Sequence, residues 1–403
     1  MCERRWHRRG TSYTYARLDD VPSLSSPSPV PRSPDSGCTL DVALVMLTLV
    51  PDGMGGSETY ARELTRELAA RPGLDVCAYV ARAGSGFSEG VRDHVVTRVP
   101  GGASTRERLL TLARSSAPHF AEHCGFSDAT VVHYPFTVPV PAPARRQARV
   151  VSLLDVQHRD LPELFSTTER LYRRRYYDRA AKRADAVITI SEFTKLRIIE
   201  HLDIPADRIF VARLGVDPSE FAPNLGERAR VLLYPARGWP HKNHARLLDA
   251  FTLLRRSEPD LRLVLTGGGL EAIGPVPDGV EVRGLIPREE LRVLYRTSAA
   301  LVFPSLYEGF GLPPLEAMAS GCPVAASDAG SLAEICGDAA VLFDGTSPES
   351  IAAGISTALD NSADLQRRGL DRARSFTWAS CAEAHEAAYR FAAASRYARG
   401  DRS

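Results

Sequence analysis

From Leu40 to Val50 the chain reads LDVALVMLTLV, apolar at almost every position. An unbroken run of this kind suits a strand covered on both faces, as in a parallel sheet. The period then changes. In PDGMGGSETYARELTRELAARPG, glycines 53, 55 and 56 predict a turn and Ser57 a helix cap. Tyr60, Ala61, Leu64 and Leu68 recur at helical spacing until Pro72-Gly73 ends the stripe. The result is strand, glycine loop, helix. Short apolar strands follow at 129–133, 149–154 and 185–190, and a polar, loop-like interval covers 215–229. The alternation restarts with VLLYPA (231–236), a helix at 243–256 and the strand LRLVLTG (261–267). It continues with VEVRGL (280–285), a helix at 288–296, ALVFPS (300–305), a helix at 314–320 and PVAASD (323–328). Two consecutive series of β-α units predict an α/β protein of two doubly wound domains facing a cleft.

Composition narrows the class. The 403 residues are 44% hydrophobic and 25% charged, ample for two cores. Lys and Arg total 50 against 49 Asp and Glu, so net charge gives no reason to expect a nucleic-acid partner. The seven cysteines are scattered, with no Cys-x-x-Cys, and read as free thiols of a reducing cytoplasm. Residues 1–38 end in SLSSPSPVPRSPDSG and read as a disordered tail, with no secretory leader in MCERRWHRRG. The uncharged run 129–144 contains four prolines and is too short to span a membrane.

The chemistry concentrates in EGFGLPPLEAMASG, residues 308–321. The pattern places Glu308 in the loop after strand 300–305 and Glu316 in the first turn of a helix opening near Pro314 and closing at Gly321. Between them Gly309, Phe310, Gly311 and Leu312 bring backbone N–H groups to a helix N-terminus, an anion site in the making. Because Pro313 and Pro314 cannot donate, the usable donors are those of Phe310, Gly311, Leu312, Leu315 and Glu316. Two glutamates flanking a phosphate cradle suit vicinal sugar hydroxyls. An acidic helix cap, contributing roughly 0.3–1 kcal/mol, accounts for them equally well.

A second stretch favours the phosphate reading. YPARGWPHKNHARLLDAF (234–251) follows the first strand of the second domain and carries Arg237 and Lys242 in a strand-to-helix loop. Loops at the carboxyl ends of parallel strands line one crevice, so both cations can face the GFGL turn, Arg237 as a bidentate fork and Lys242 as a point charge. As an exposed loop cation, Lys242 is expected to contribute little to stability. No Asp-x-Asp occurs, so a carboxylate-held metal has no evident seat.

These residues resemble the retaining glycosyltransferases of family four, often called group 1 transferases, which have the GT-B architecture of two Rossmann-like domains. The signature is Glu-x7-Glu, here Glu308 to Glu316. It is joined by the GGSE loop, ADAVITISEFTK (184–195), LGVDPSEFAP (214–223), WPHKNH (239–244) and GLIPREEL (284–291). The resemblance spans about residues 40–390 and implies an acceptor-binding domain at 39–222 and a nucleotide-sugar-binding domain at 223–385. A helix over 386–403 would return to the first domain. Arg237 and Lys242 would hold the donor diphosphate in place of a metal, with Glu308 beside the sugar and Glu316 on the ribose hydroxyls. Gly309, Phe310, Gly311 and Leu312 would contact sugar and phosphates, Gly55 and Gly56 would close over the diphosphate, and the base would rest near Val282 to Pro287. The implied activity moves a hexose, mannose from GDP-mannose by resemblance, onto a glycan or lipid-linked acceptor, with no cofactor and no metal.

One departure stands out. Relatives carry a His-Asp pair where this chain has Leu154-Asp155, which leaves Asp155 and His158 as candidates and His133 as a weaker one. A nucleotide-sugar-binding module without turnover and a two-carboxylate glycoside hydrolase remain as alternatives. The helix RLYRRRYYDRAAKR (170–183) could dock a cytoplasmic enzyme on anionic lipid, or be a solvated helix packed through Leu171, Tyr172 and Tyr176.

Overall fold

The computed structural model describes residues 39–400 except 52, 103, 118–119 and 121–123. The segment read as a disordered tail lies outside the described residues. The chain divides into two compact units. The amino-terminal unit runs to Phe221 and also takes Gly309–Leu312 and the chain from Ala373 onward; the carboxyl-terminal unit holds Ala222–Glu308 and Pro313–Arg372.

In the amino-terminal unit the strands are β1 (Leu40–Met46), β2 (Leu74–Ala81), β3 (Arg92–Val96), β4 (Val131–Tyr134), β5 (Ala148–Ser152), β6 (Ala186–Thr189) and β7 (Ile209–Val211). They form one sheet in the order β3-β2-β1-β4-β5-β6-β7, and every pair is parallel. The apolar run at 40–50 makes a strand only to Met46. Leu47, Leu49 and Val50 stay buried, but in a turn closed by Leu49 N–H donating to the Met46 carbonyl. Burial alone does not distinguish a strand from a covered loop. The helix Gly56–Ala69 buries Tyr60, Ala61, Leu64 and Leu68, the stripe that its sequence spacing predicts. Its cap is Gly55 at φ 59°, ψ −130°, a conformation suited to glycine, and Ser57 lies inside the first turn instead of capping it.

A chain of hydrogen bonds crosses the buried core of this unit and joins it to the last helix, Trp378–Gly400. His385 Nδ1 must donate to the Cys381 carbonyl (2.7 Å), so its Nε2 accepts from the Tyr60 hydroxyl (2.7 Å). Tyr60 then accepts from Ser152 (2.8 Å), Ser152 from His133 Nε2 (2.8 Å), and His133 Nδ1 from Tyr389 (2.9 Å). One carbonyl thus fixes both tautomers, and every donor in the chain is satisfied. The chain rejoins the amino-terminal unit at Ala373, ahead of the 386 expected: Ala373, Phe376 and Trp378 are buried, and the Phe376 carbonyl accepts from Val216 N–H at 3.2 Å.

The carboxyl-terminal unit contains β8 (Ala229–Pro235), β9 (Arg262–Thr266), β10 (Val280–Gly284), β11 (Ser298–Phe303), β12 (Val324–Ser327) and β13 (Val341–Phe343). These strands pair in parallel in the order β10-β9-β8-β11-β12-β13. Strands β2, β3, β7 and β13 are not anticipated by the sequence pattern. The last two have only three residues each, too short for alternation to register, and β3 is largely exposed.

Candidate functional site

In the carboxyl-terminal sheet the strand order reverses between β8 and β11, and loops leaving the two strands' carboxyl ends diverge there to open a crevice. The loop after β8 carries Arg237, a short 3-10 turn at Pro240–Lys242, and Asn243, before the helix His244–Leu254. The loop after β11 carries Glu308. Lys242 Nζ meets Glu308 Oε1 at 2.5 Å, and each side chain is only 13% exposed. Lys242 is therefore a largely covered, ion-paired residue and not the exposed loop cation expected from sequence. Arg237 is half-buried and stacks over the Trp239 ring at 5.3 Å.

Neighbouring residues hold this loop rigidly. Asn243 takes the left-handed conformation (φ 63°), and its buried side-chain amide donates to the carbonyls of Pro304 (2.9 Å) and Gly345 (2.7 Å). The Tyr234 hydroxyl donates to the Lys242 carbonyl, and Leu306 N–H donates to the His241 carbonyl at 2.7 Å. On the other side lies the Thr266-Gly-Gly-Gly269 segment after β9. A Cβ on Gly238 would stand 2.0 Å from the Gly269 carbonyl oxygen, so these two loops need glycine to lie backbone to backbone.

The two glutamates of the signature have separate surroundings. Glu308 is fixed through its main chain: its carbonyl accepts from the Ser331 hydroxyl (3.1 Å) and N–H (3.2 Å), and a Cβ on Gly330 would meet it at 2.6 Å. Glu316 accepts from the Tyr295 hydroxyl at 2.9 Å. The helix begins at Leu312, not near Pro314, so Glu316 falls beyond its first turn. Only the first four N–H groups of a helix lack intrahelical partners. With Pro313 and Pro314 unable to donate, Gly311 and Leu312 remain as donors, while the i→i−4 pattern takes up the N–H groups of Leu315 and Glu316. Each carboxylate has its own donor, Lys242 for one and Tyr295 for the other, which is not the facing pair a hydrolase would use.

In the amino-terminal unit, the carbonyl of Gly309 accepts from the hydroxyls of Ser191 (2.7 Å) and Thr194 (3.4 Å). A Cβ on Gly309 would stand 2.5 Å from the Leu154 carbonyl oxygen and 3.5 Å from Asp155 Cβ. Phe310 is buried there, edge-on to Phe376 at 5.9 Å, while Gly311 turns the chain at φ 109°. Gly55 needs glycine for its backbone, whereas a Cβ on Gly56 would meet nothing within 4 Å. Among the described residues no contact asks for glycine at 56.

Asp155 is partly exposed; it accepts from Gln157 N–H (3.1 Å) and lies 3.7 Å from Arg173. His158 is fully buried, with Nε2 2.9 Å from Asp178 Oδ1. Burial opposes ionisation of Asp178, but hydrogen bonds from His158 and Arg159 outweigh it and lower its pKa. His158 is an interior prop, and His133 belongs to the core hydrogen-bond chain. Both candidates leave the site.

The stretch 170–183 is interrupted by a π turn at Arg174–Asp178. Leu171 is 67% exposed, so it does not pack as expected, and the buried positions are Asp178, Ala180 and Ala181. At the proposed base shelf, Val282 and Leu285 are exposed, with Leu285 beside Gly268. Among the described residues no group of three or more His, Cys, Asp or Glu could hold a metal ion. None of the described helices is long and apolar enough to cross a membrane. Sequence reading missed Asn243, Tyr295, Ser331 and the glycine triplet; only the triplet, directly after a clear strand, carried a local signal.

Comparison with known proteins assigns the family. Residues 54–220 match the family described as Glycosyltransferase Family 4, and residues 217–375 match Glycosyl transferases group 1. The chain is 31% identical over 264 residues to the O-antigen chain mannosyltransferase B of Escherichia coli, covering 59% of this chain and 69% of that protein. It is 27% identical over 386 residues to the D-inositol 3-phosphate glycosyltransferase of Corynebacterium diphtheriae, covering 83% and 89%. In fold it resembles sucrose-phosphate synthase of Thermosynechococcus elongatus, with a TM-score of 0.70 at 21% identity over 87% of this chain and 98% of that one. Anabaena HepE in complex with UDP-glucose has a TM-score of 0.63 at 16% identity over 86% and 99%. Two parallel sheets, the Glu-x7-Glu turn and matches along both halves agree: the chain belongs to the group 1, family 4 glycosyltransferases and has the GT-B fold.

Proposed function

We propose that this glycosyltransferase is a retaining hexosyltransferase that moves mannose from GDP-mannose to a glycan or lipid-linked acceptor without a metal ion. The observation that carries the reading is the covered Lys242–Glu308 pair at the reversal of the carboxyl-terminal sheet. A sugar diphosphate entering this crevice takes Lys242 for its phosphate and frees Glu308 for the sugar. Arg237 and Lys242 then neutralise charge on the departing nucleoside diphosphate. The bond from the anomeric carbon to the phosphate oxygen breaks, and the acceptor hydroxyl bonds that carbon from the same face. Its proton passes to the leaving phosphate. On this reading Gly56, where an added Cβ would meet no described residue within 4 Å, is a further donor-binding residue.

The choice of mannose draws on the named activity of the Escherichia coli relative. Anabaena HepE, similar in fold, holds UDP-glucose, so the base has to be tested directly. Exposed Arg174, Arg175, Arg179, Lys182 and Arg183 support an anionic acceptor or membrane surface beside a cytoplasmic enzyme. Calorimetry with GDP-mannose, UDP-glucose and ADP-glucose is expected to show binding of GDP-mannose most tightly. Acceptor-dependent GDP release should then follow in cell extract. Binding without release would mark a module lacking turnover, and glycoside cleavage without nucleotide would mark a hydrolase.

A further inference from the structure

Lys242 and Glu308 lie in the same unit, on the loops after β8 and β11, and their main chains are pinned. The two loops are tied directly, Leu306 N–H donating to the His241 carbonyl at 2.7 Å. Lys242 N–H donates to the Trp239 carbonyl (2.9 Å), and the Lys242 carbonyl accepts from the Tyr234 hydroxyl (2.5 Å). On the opposite side, a Cβ on Gly330 would lie 2.6 Å from the Glu308 carbonyl oxygen and 2.8 Å from its nitrogen. Adjustment is left to the side chains. These meet at 2.5 Å, each 13% exposed, with the Phe303 ring 5.6 Å from Lys242 Nζ.

We infer that Glu308 has a second role, rejection of the spent nucleotide. It holds Lys242 in a pair that an intact sugar nucleotide replaces on both sides and a nucleoside diphosphate on one side only. This rests on the reading above that Lys242 takes the donor phosphate and Glu308 the donor sugar.

The reason is charge. In a sugar nucleotide the terminal phosphate is esterified to the hexose and carries a single negative charge. Once that bond is broken, the phosphate carries a charge of about −1.5 to −2 at pH 7. A site built from cations alone would therefore hold the product more tightly than the donor. Glu308 opposes this. When a sugar nucleotide draws Lys242 onto its phosphate, hexose hydroxyls donate to the carboxylate and no charge is stranded. When the bare diphosphate does so, Glu308 loses its cation and gains no donor, beside a more negative phosphate and with little access to water. With the main chains pinned, the carboxylate cannot withdraw by a loop movement. The penalty falls on one ligand and spares the other, and such a difference sets specificity.

The test is calorimetric titration with GDP and GDP-mannose, and with UDP and UDP-glucose in parallel, of wild type, Glu308→Gln, Lys242→Ala and the double variant. The readout is the dissociation constant of the diphosphate divided by that of its sugar nucleotide, for whichever base binds. Gln keeps the length of Glu308 and an acceptor for the sugar, and removes the charge. Glu308→Gln is expected to bind the diphosphate about tenfold more tightly than wild type and the sugar nucleotide no more tightly, so the ratio falls about tenfold. Without Lys242 there is no pair to break, and in the Lys242→Ala background the same substitution should leave the ratio unchanged. A ratio that Glu308→Gln does not lower overturns the inference, and this comparison stands even where Lys242→Ala fails to fold. An equal fall in the Lys242→Ala background also overturns it, because Glu308 would then be a general repulsive charge. Both results leave the donor reading intact. A wild type that binds none of the four nucleotides overturns that reading and the inference together.

Discussion

Lys242 and Glu308 stand 2.5 Å apart in a setting that excludes most solvent, so removing either leaves the other's charge poorly solvated. Lys242→Ala is expected to cut turnover by about 10²–10³, the loss typical when a group facing developing charge is removed. It should also cost about 1–3 kcal/mol of stability, the penalty for leaving a buried polar group without its partner. Denaturant titration beside steady-state kinetics checks both, and unchanged turnover would remove Lys242 from the chemistry. Sequence and structure agree in placing Arg237, Lys242 and Glu308 in loops at the carboxyl ends of β8 and β11, whereas Glu316 lies past the first turn of the helix that follows. Their supports were not legible in sequence. Asn243 acts through carbonyls of Pro304 and Gly345, far along the chain, and an asparagine after a lysine announces nothing of that kind. For His158 the misreading has the same origin. Its partner Asp178 lies 20 residues on, and only folding makes the pair an interior prop.

At the scale of elements, the helix Trp378–Gly400 is latched to the sheet by the Tyr389–His133–Ser152–Tyr60–His385 chain. This chain works only with both imidazoles neutral. Burial, chiefly, holds the His385 pKa down to about 4 and lowers that of His133 also. In the unfolded chain a histidine titrates near 6.5. Above about pH 6.5 both states are neutral and nothing is lost. As pH falls below it the unfolded state takes up protons that the folded state refuses, so stability drops by about 1.4 kcal/mol per pH unit per histidine. For His385 the loss continues down to about pH 4. Melting temperature measured from pH 7 to 4.5 should therefore decline, and less steeply in His385→Gln. An identical slope in that variant would show that His385 is not a source of the decline. Elements with a strong apolar run or stripe, such as β1 and the helix Gly56–Ala69, could be read from period, although the helix also buries Glu63 and Thr65. The break of 170–183 by a π turn could not, because the sequence there keeps a helical pattern throughout.

For the whole molecule, the proposed function has Arg237 and Lys242 neutralise the charge that a metal would otherwise neutralise. Transfer measured as acceptor-dependent nucleotide release is expected to persist in EDTA at full rate, and loss of activity restored by added Mg²⁺ or Mn²⁺ would refute the metal-independent reading. Each unit has its own parallel sheet with a single reversal of strand order, β1 beside β4 in one and β8 beside β11 in the other. Both reversals place a motif-bearing loop, GMGGSE in the first and RGWPHKN in the second. The sequence by itself determined the class, the alternation of strands and helices, and the ionic groups available, because side-chain chemistry and hydrophobic period are local properties. Which polar groups face a ligand and which are consumed inside the protein was decided by tertiary structure alone. Hydrogen-bond partners such as Tyr295 and Glu316, or Asn243 and Gly345, become neighbours only when distant segments pack.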